Sequence, residues 1–200
     1  MLRVEGPTGF ETGDASLTVS EVLSKPSLSV SPYPFLLEFD SLHLTCNTSS
    51  KLAKVVWFWN REPLRSNPQI QLSDNNRTFA IQRIVRSDAG IYQCEVSKAA
   101  FIEMSDVTYI EVIYGPDTPV IQTDETSYAE HSKLSLSCKA VAFPVEYSWF
   151  HNGKELSKGS VLRICNVTVL DSGTYTCQAL NGLSHRMANA TLEVEVVASE

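Results

Sequence analysis

DAGIYQC, at residues 88–94, returns as DSGTYTC at residues 171–177, and this repeat decides the fold of the chain. In each copy a Tyr precedes a Cys by two positions. Each copy is preceded by a Cys and a Trp, and the Cys-to-Trp spacing is the same in both. The pairs are Cys46 with Trp57 and Cys138 with Trp149. A single match could arise by chance, but two copies with the same internal offsets indicate a tandem repeat.

The repeated pattern is typical of an immunoglobulin-type β-sandwich, whose strands are lettered A to G in chain order. In that sandwich a disulfide joins the two sheets, the Trp packs on it, and the Tyr hydroxyl closes the turn between strands E and F. We therefore predict an all-β fold of two tandem sandwiches of the C2 or I type, each with one inter-sheet disulfide. The predicted pairs are Cys46–Cys94 and Cys138–Cys177, and the predicted core pins are Trp57, Tyr92, Trp149 and Tyr175.

The composition fits an extracellular protein. Paired cysteines indicate an oxidising compartment, and 43% hydrophobic residues are enough for packed cores. The net charge of −7 argues against a nucleic-acid partner. No run approaches the ~20 apolar residues that span a bilayer, and no signal-peptide apolar region is visible. We expect an internal piece of a longer secreted or membrane-anchored chain, with the signal peptide and anchor elsewhere.

Alternating apolar residues and turn signals predict the domain boundaries. We expect an N-terminal arm at residues 1–24, domain 1 at 25–114, domain 2 at 115–197 and a short tail at 198–200. The arm is either the last hairpin of an upstream variable-like domain or a plain linker. Two prolines in the short connection at 114–119 predict an end-to-end rod with restricted hinge motion.

Four N-x-[ST] sequons predict N-linked glycans. Their asparagines are Asn47, Asn76, Asn166 and Asn189. Asn47 follows an inward-pointing Cys and Asn166 precedes an inward-pointing Val, so alternation along a strand directs both outward.

Apolar residues that point away from the core indicate a protein interface. Val56 and Phe58 flank the core Trp of domain 1, Phe150 flanks that of domain 2, and Ile91 has the same direction on strand F. The alternative is that neighbouring side chains, or the connection between strands C and E, cover them.

Catalytic and metal-binding patterns do not appear. The four His residues fall on different predicted elements, and no cysteine pair has metal-ligand spacing. We therefore expect no enzyme activity, no metal, no cofactor and no small-molecule substrate. Asp88 and Asp171 have a structural role in the E–F turn, and Arg77 is the predicted ion partner in domain 1.

Several stretches resemble the carcinoembryonic-antigen-related cell adhesion molecules. They are NNRT at 75–78, VWFWN at 56–60, YGPDTP at 114–119 and YSWFHNG at 147–153. Residues 25–114 resemble that family's A-type domain and residues 115–197 its B-type domain. Hepatic and glial cell adhesion molecules share much of this pattern.

The resemblance implies an extracellular segment of a cell-surface adhesion or recognition glycoprotein. It would act as a glycosylated spacer with lateral protein contacts, and its partners would be homophilic or heterophilic surface proteins. The alternative is a receptor-like module that binds a protein ligand through the C-F-G face of domain 1. The family's adhesive face normally lies on an upstream variable-like domain, of which at most a hairpin remains here.

Cys165 departs from the family pattern, which usually has Pro before the matching sequon. As the fifth Cys it is predicted to be an outward, unpaired thiol. An odd Cys in an extracellular chain indicates either intermolecular pairing or a reactive thiol. The alternative is a small apolar side chain that its surroundings shield, with the glycan on Asn166 as one cover.

Overall fold

A computed structural model describes residues 22–65 and 67–199, and it confirms the all-β fold with two sandwiches. Disulfides join Cys46 to Cys94 and Cys138 to Cys177, one in each sandwich. The predicted hairpin within residues 1–21 lies outside the described residues. In this part of the chain, no helix has the length and apolar character needed to cross a membrane.

Domain 1 packs a four-stranded sheet, β1-β3-β7-β6, against a sheet of order β2-β10-β8-β4-β5, in which β9 also pairs with β8. In strand letters these are A-B-E-D and A′-G-F-C-C′, with strand G divided into β9 and β10. The strands are β1 (Ser27–Ser31), β2 (Phe35–Leu37), β3 (Leu42–Asn47), β4 (Lys54–Trp59), β5 (Glu62–Pro63), β6 (Ile70–Ser73), β7 (Thr78–Ile81), β8 (Gly90–Lys98), β9 (Phe101–Met104) and β10 (Thr108–Ile113).

Domain 2 has a three-stranded sheet, β11-β13-β16, and a five-stranded sheet, β12-β18-β17-β14-β15. These correspond to A-B-E and A′-G-F-C-C′. The strands are β11 (Val120–Gln122), β12 (Ser127–Ala129), β13 (Leu134–Lys139), β14 (Glu146–His151), β15 (Lys154–Lys158), β16 (Val161–Ile164), β17 (Gly173–Asn181) and β18 (Arg186–Val197). The longer C-to-E connection of domain 1 accounts for the difference, because it forms β6 at the edge of the A-B-E sheet.

Period-two alternation builds both cores, because successive side chains of a strand point to opposite faces. In β3 the side chains of Leu42, Leu44 and Cys46 are buried, and in β13 the equivalent residues are buried in the same order. Phe79 joins the two pins of domain 1, with its ring centroid 5.5 Å from that of Trp57 and 5.9 Å from that of Tyr92. Leu23, ahead of β1, also packs into this core.

A buried Tyr closes the E–F turn of each domain. The hydroxyl of Tyr92 donates to the carbonyl of Asp88 at 2.7 Å, and that of Tyr175 donates to the carbonyl of Asp171 at 2.8 Å. Burial raises the pKa of both hydroxyls, and the nearby Asp carboxylate adds to the effect. The pKa of Tyr175 rises to about 12, and that of Tyr92 rises further.

The predicted ion pair between Arg77 and Asp88 is wrong. The Arg77 guanidinium donates to the backbone carbonyls of Ser50 and Lys51, at 3.1 and 2.6 Å. The Asp88 carboxylate instead accepts the backbone N–H of Val85 at 2.8 Å, and this bond holds the E–F turn. The equivalent carboxylate in domain 2 accepts the N–H of Thr168, also at 2.8 Å. Local backbone donors therefore satisfy both carboxylates.

Candidate protein-binding face

The outer surface of the C-F-G sheet of domain 1 carries a row of apolar side chains, which we call the domain 1 face. Its apolar members are Val56 and Phe58 on β4, Ile91 on β8, Ile102 and Met104 on β9, and Tyr109 on β10. Strand pairing holds them together, because residues opposite each other in a sheet share a face.

The register places these side chains side by side. Val56 lies opposite Glu95, which on its other side lies opposite Met104. Phe58 lies opposite Gln93 on the neighbouring strand. Lower on the same face, Ile91 lies opposite Tyr109. Apolar residues therefore lie on three adjacent strands, and the outward polar residues between them on β8 are Gln93, Glu95 and Ser97.

Exposure is unequal across the domain 1 face. Val56, Phe58 and Ile91, predicted from the sequence, are half-buried. The most exposed apolar members are Tyr109 and Ile102, with 63% and 64% of their surface accessible. Neighbouring side chains therefore cover Val56, Phe58 and Ile91 only in part. Strand G supplies most of the accessible apolar surface.

Sequence reasoning missed Ile102 and Met104 because strand G is interrupted ahead of β10, whereas Tyr109, next to the buried Ile110, could have been found by alternation. Ser105, between β9 and β10, is buried, and its hydroxyl accepts the backbone N–H of Cys94 at 3.0 Å. Its own N–H donates to the carbonyl of Cys94 at 2.9 Å. This insertion changes which residues point outward, so alternation counted back from Ile110 would place Ile102 and Met104 on the wrong side.

The corresponding surface of domain 2, the domain 2 face, is more polar. Ser148, Gln178 and Asn189 form one row across β14, β17 and β18. Phe150, Thr176 and Thr191 form the next row. The remaining apolar pair, Leu180 and Met187, lies on the other side of the Asn189 row. Phe150 is half-buried, so domain 2 offers a divided apolar surface.

All four sequon asparagines are exposed, as a glycan acceptor must be. In domain 1, Asn47 lies on the opposite sheet, where its amide donates to the Ser29 hydroxyl at 2.7 Å. Asn76 lies in the turn ahead of β7. Neither belongs to the domain 1 face. Asn189 is different because it lies in the middle of the domain 2 face.

The fourth sequon and the unpaired thiol lie together after β16. Cys165 is exposed and forms no disulfide, which agrees with the predicted outward direction. The prediction that its surroundings shield it is wrong as far as protein atoms are concerned. The side-chain amide oxygen of the next residue, Asn166, lies 3.2 Å from Nδ1 of the His131 ring. A glycan on Asn166 would thus be attached directly beside the thiol.

The His, Cys, Asp and Glu side chains of the described ranges form no metal-binding group. Among residues 22–65 and 67–199, no three His, Cys, Asp or Glu side chains are grouped to hold a metal ion. His151 stacks on the core ring of Tyr175 at 4.6 Å and lies 3.1 Å from the Ser172 carbonyl. These contacts give this His a packing role.

Comparison with known proteins defines the family. The model of the immunoglobulin domain family matches residues 25–97 and 118–181. The chain belongs to the immunoglobulin domain family. The match includes strands of both sandwiches up to strand F, with the Cys and Trp residues of the repeated pattern.

Solved structures of this family share the tandem fold at low sequence identity. The N-terminal four Ig domains of Dscam1 isoform 1.9 match at 21% identity and a TM-score of 0.64, covering 90% of this chain and 47% of that one. The I-band fragment I67–I69 of titin matches at 19% and 0.53, covering 88% and 65%. This chain thus spans about half the length of the Dscam1 structures it matches.

A structure from the family that the sequence resembles is also among the matches. Murine CEACAM1b covers 86% of this chain and 100% of its own length, at 17% identity and a TM-score of 0.47. That score is too low to support an assignment within the immunoglobulin family. The resemblance to carcinoembryonic-antigen-related molecules therefore stays a prediction from the sequence.

Proposed function

We propose that this chain is an extracellular segment of a membrane-anchored adhesion or recognition glycoprotein. Its two domains act as a glycosylated spacer that makes lateral protein contacts through the domain 1 face. One observation carries the proposal. The sequons of domain 1 lie away from its apolar face, whereas a sequon lies within the domain 2 face.

Glycans and protein contacts would occupy different parts of the surface. A glycan is bulky and solubilising, so one on Asn189 would cover the polar centre of the domain 2 face. Glycans on Asn47 and Asn76 would cover the other sheet and one turn of domain 1. The domain 1 face would then be the main sheet surface open to another protein, and its exposed Tyr109 is a residue type enriched at interfaces.

Lateral contacts of this kind are weak singly and strengthen with copy number. A small apolar patch gives low affinity, and many copies on opposed membranes raise the avidity by about 10²–10⁴. The partner is then a surface protein, either identical or different, and no cofactor takes part.

A receptor-like module is the second candidate, favoured by the exposure of Tyr109 and Ile102. It would bind one protein ligand at the domain 1 face in a saturable one-to-one complex. The number of linked copies needed for capture distinguishes the two candidate functions. The spacer with lateral contacts predicts capture only by clustered copies, whereas the receptor-like module predicts capture by a single copy.

The test uses the chain secreted from mammalian cells, as a monomer and as a tetramer, against an array of displayed cell-surface proteins. Glycopeptide mapping of the same material should find sugar at the four sequons. Capture by the tetramer alone supports the spacer, and saturable capture by the monomer supports the receptor-like module. The proposal would be overturned if the secreted chain carried no sugar and neither its monomer nor its tetramer captured a partner.

A further inference from the structure

The carboxamide of Asn181, at the end of strand F of domain 2, is fully buried at the junction between the domains. Its nitrogen donates to the carbonyl of Tyr114 at 2.9 Å and to that of Phe143 at 3.1 Å. Its oxygen accepts the backbone N–H groups of Leu183 and Ser184, at 3.1 and 3.2 Å. Asn181 thereby ties the end of domain 1 to two loops of domain 2.

The connecting backbone is itself paired with domain 2. Tyr114 and Phe143 exchange two backbone hydrogen bonds, of 3.2 and 3.0 Å, as an isolated β-bridge. Asp117 donates its N–H to the Val141 carbonyl at 3.0 Å. Gly115, at φ 73°, passes so close to that carbonyl that a Cβ there would collide with it. The connection is therefore part of the domain 2 structure and leaves no free linker.

Arg86 makes a second, independent connection across the junction. From the E–F turn of domain 1, its Nε and Nη2 donate to the two Glu38 oxygens at 2.9 and 2.8 Å. Its Nη1 and Nη2 also donate to the two Asp117 oxygens, at 2.8 and 3.2 Å. The guanidinium lies 4.4 Å over the Tyr114 ring. One planar group thus joins two carboxylates and an aromatic ring, as the fixed donor geometry of Arg allows.

The equivalent end of domain 2 shows that this arrangement is not a general feature of the fold. Glu38 and Glu130 occupy equivalent places, because each donates its N–H to the end of strand G, at Ile113 and Val197. The residue two positions before the E–F Asp is Arg86 in domain 1 and Val169 in domain 2. Only the end that meets another described domain therefore carries the Arg.

We propose that Asn181 and Arg86 lock the two domains in one orientation, so that the domain 1 and domain 2 faces keep a fixed direction relative to each other. Relative domain motion is the usual expectation for two domains with a small interface. The Asn181 contacts hold the connection to domain 2, and the Arg86 contacts hold the E–F turn of domain 1 to the connection. The bond to Arg86 also holds the pKa of Glu38 and of Asp117 below the usual carboxyl range. The lock concerns geometry alone, so it goes beyond the proposed function and does not depend on it.

The test measures the distance distribution between spin labels in the intact chain. Labels at His43→Cys and Lys154→Cys, two exposed strand positions in different domains, are introduced in a Cys165→Ser background. We expect a single narrow distribution, which the combined substitution Arg86→Met with Asn181→Ala widens by about twofold or more. Arg83→Met is the matched control, because Arg83 stacks 4.8 Å over Phe39 within domain 1.

Folding is checked separately, because Asn181→Ala removes the acceptor of the Leu183 and Ser184 backbone N–H groups. Arg86→Met alone removes only the outer connection and should give an intermediate width, while Arg86→Lys, which lacks the planar fork, should not restore the narrow distribution. Circular dichroism must show both disulfide-bonded domains folded in each variant. A broad distribution in the parent chain, or a folded double variant as narrow as the parent, would overturn the lock. Neither result would bear on glycosylation or partner capture.

Discussion

Met104 and Asn189 occupy the same position in two domains of one fold, and they give that position opposite properties. Met104 lies opposite Glu95, the residue after Cys94, and Asn189 lies opposite Gln178, the residue after Cys177. One is an apolar side chain in an apolar row, and the other is a sequon in a polar row. The cores of the two domains keep the same pins, because packing constrains inward residues. Outward residues have no such constraint, so each domain presents a different surface on the same frame.

The largest expected effect comes from removing the apolar centre of the domain 1 face. Val56→Ser with Phe58→Ser should weaken binding of the captured partner by about 100-fold, as loss of interface hot spots does. Phe150→Ser, the matched change on the domain 2 face, should leave binding unchanged. Surface plasmon resonance measures the affinity, and sedimentation measures self-association of the same variants. Equal losses from both changes would remove the distinction between the two faces.

A smaller effect should distinguish the two core Trp residues. The Trp57 indole donates to the Asn76 carbonyl at 2.7 Å, whereas the buried Trp149 indole N–H meets no acceptor among the residues the structure describes. Trp57→Phe loses a hydrogen bond as well as volume, and Trp149→Phe removes an unpaired donor. The free energy of unfolding should therefore fall by about 1 kcal/mol more for Trp57→Phe.

Hydrogen exchange of β8 and β17 reports the stability of each domain in these variants. Each Trp→Ala change serves as a control for lost volume, and both should destabilise strongly, by about 3–5 kcal/mol. An equal cost of the two Trp→Phe changes would mean that the Trp57 hydrogen bond does not contribute.

The smallest expected difference between the two domains is in their stability at alkaline pH. The Tyr92 and Tyr175 hydroxyls have a pKa above the usual value of about 10. A raised pKa in the folded state gives stability that is present below the unfolded pKa and is lost as the pH rises through the folded pKa. Both domains should therefore lose stability above pH about 10, each by about tenfold in the folding equilibrium per pH unit.

The alkaline losses of the two domains should diverge near the pKa of Tyr175, about 12, where the loss in domain 2 levels off while that in domain 1 continues. Denaturant titrations across this pH range, with Tyr92→Phe and Tyr175→Phe as matched controls, check the assignment. Each Phe variant should lose the pH dependence of its own domain only. A pH dependence that survives in both variants would assign it to other groups.

Most of the fold was predictable because its signals are local. The Cys, Trp and Tyr spacings depend on positions within one strand or between two strands that every such sandwich pairs. Period-two alternation then located the outward residues Val56, Phe58 and Ile91. Those residues are on strands without irregularities, so counting from a buried neighbour gave the correct side.

The rest required contacts between distant segments. The interruption at Ser105 changes the register of strand G, and nothing in the sequence around it marks the hydrogen bond to Cys94. Arg86 meets Asp117 only because the two domains share one orientation, which no local pattern encodes. The ion pair predicted for Arg77 is wrong for the same reason, since its backbone acceptors lie in another loop.

We propose that the domain 1 face is open to protein contact while sugar covers the domain 2 face, and moving the sequon tests this division of the surface. Met104→Asn with Asp106→Thr places an acceptor at the position equivalent to Asn189, and Asp106→Thr alone is the control, because this side chain is exposed and pairs only with Lys25 among the described residues. Once mass spectrometry shows sugar at position 104, we predict that the tetramer loses partner capture, whereas Asn189→Gln retains it. Undiminished capture by the chain glycosylated at position 104 would contradict the account.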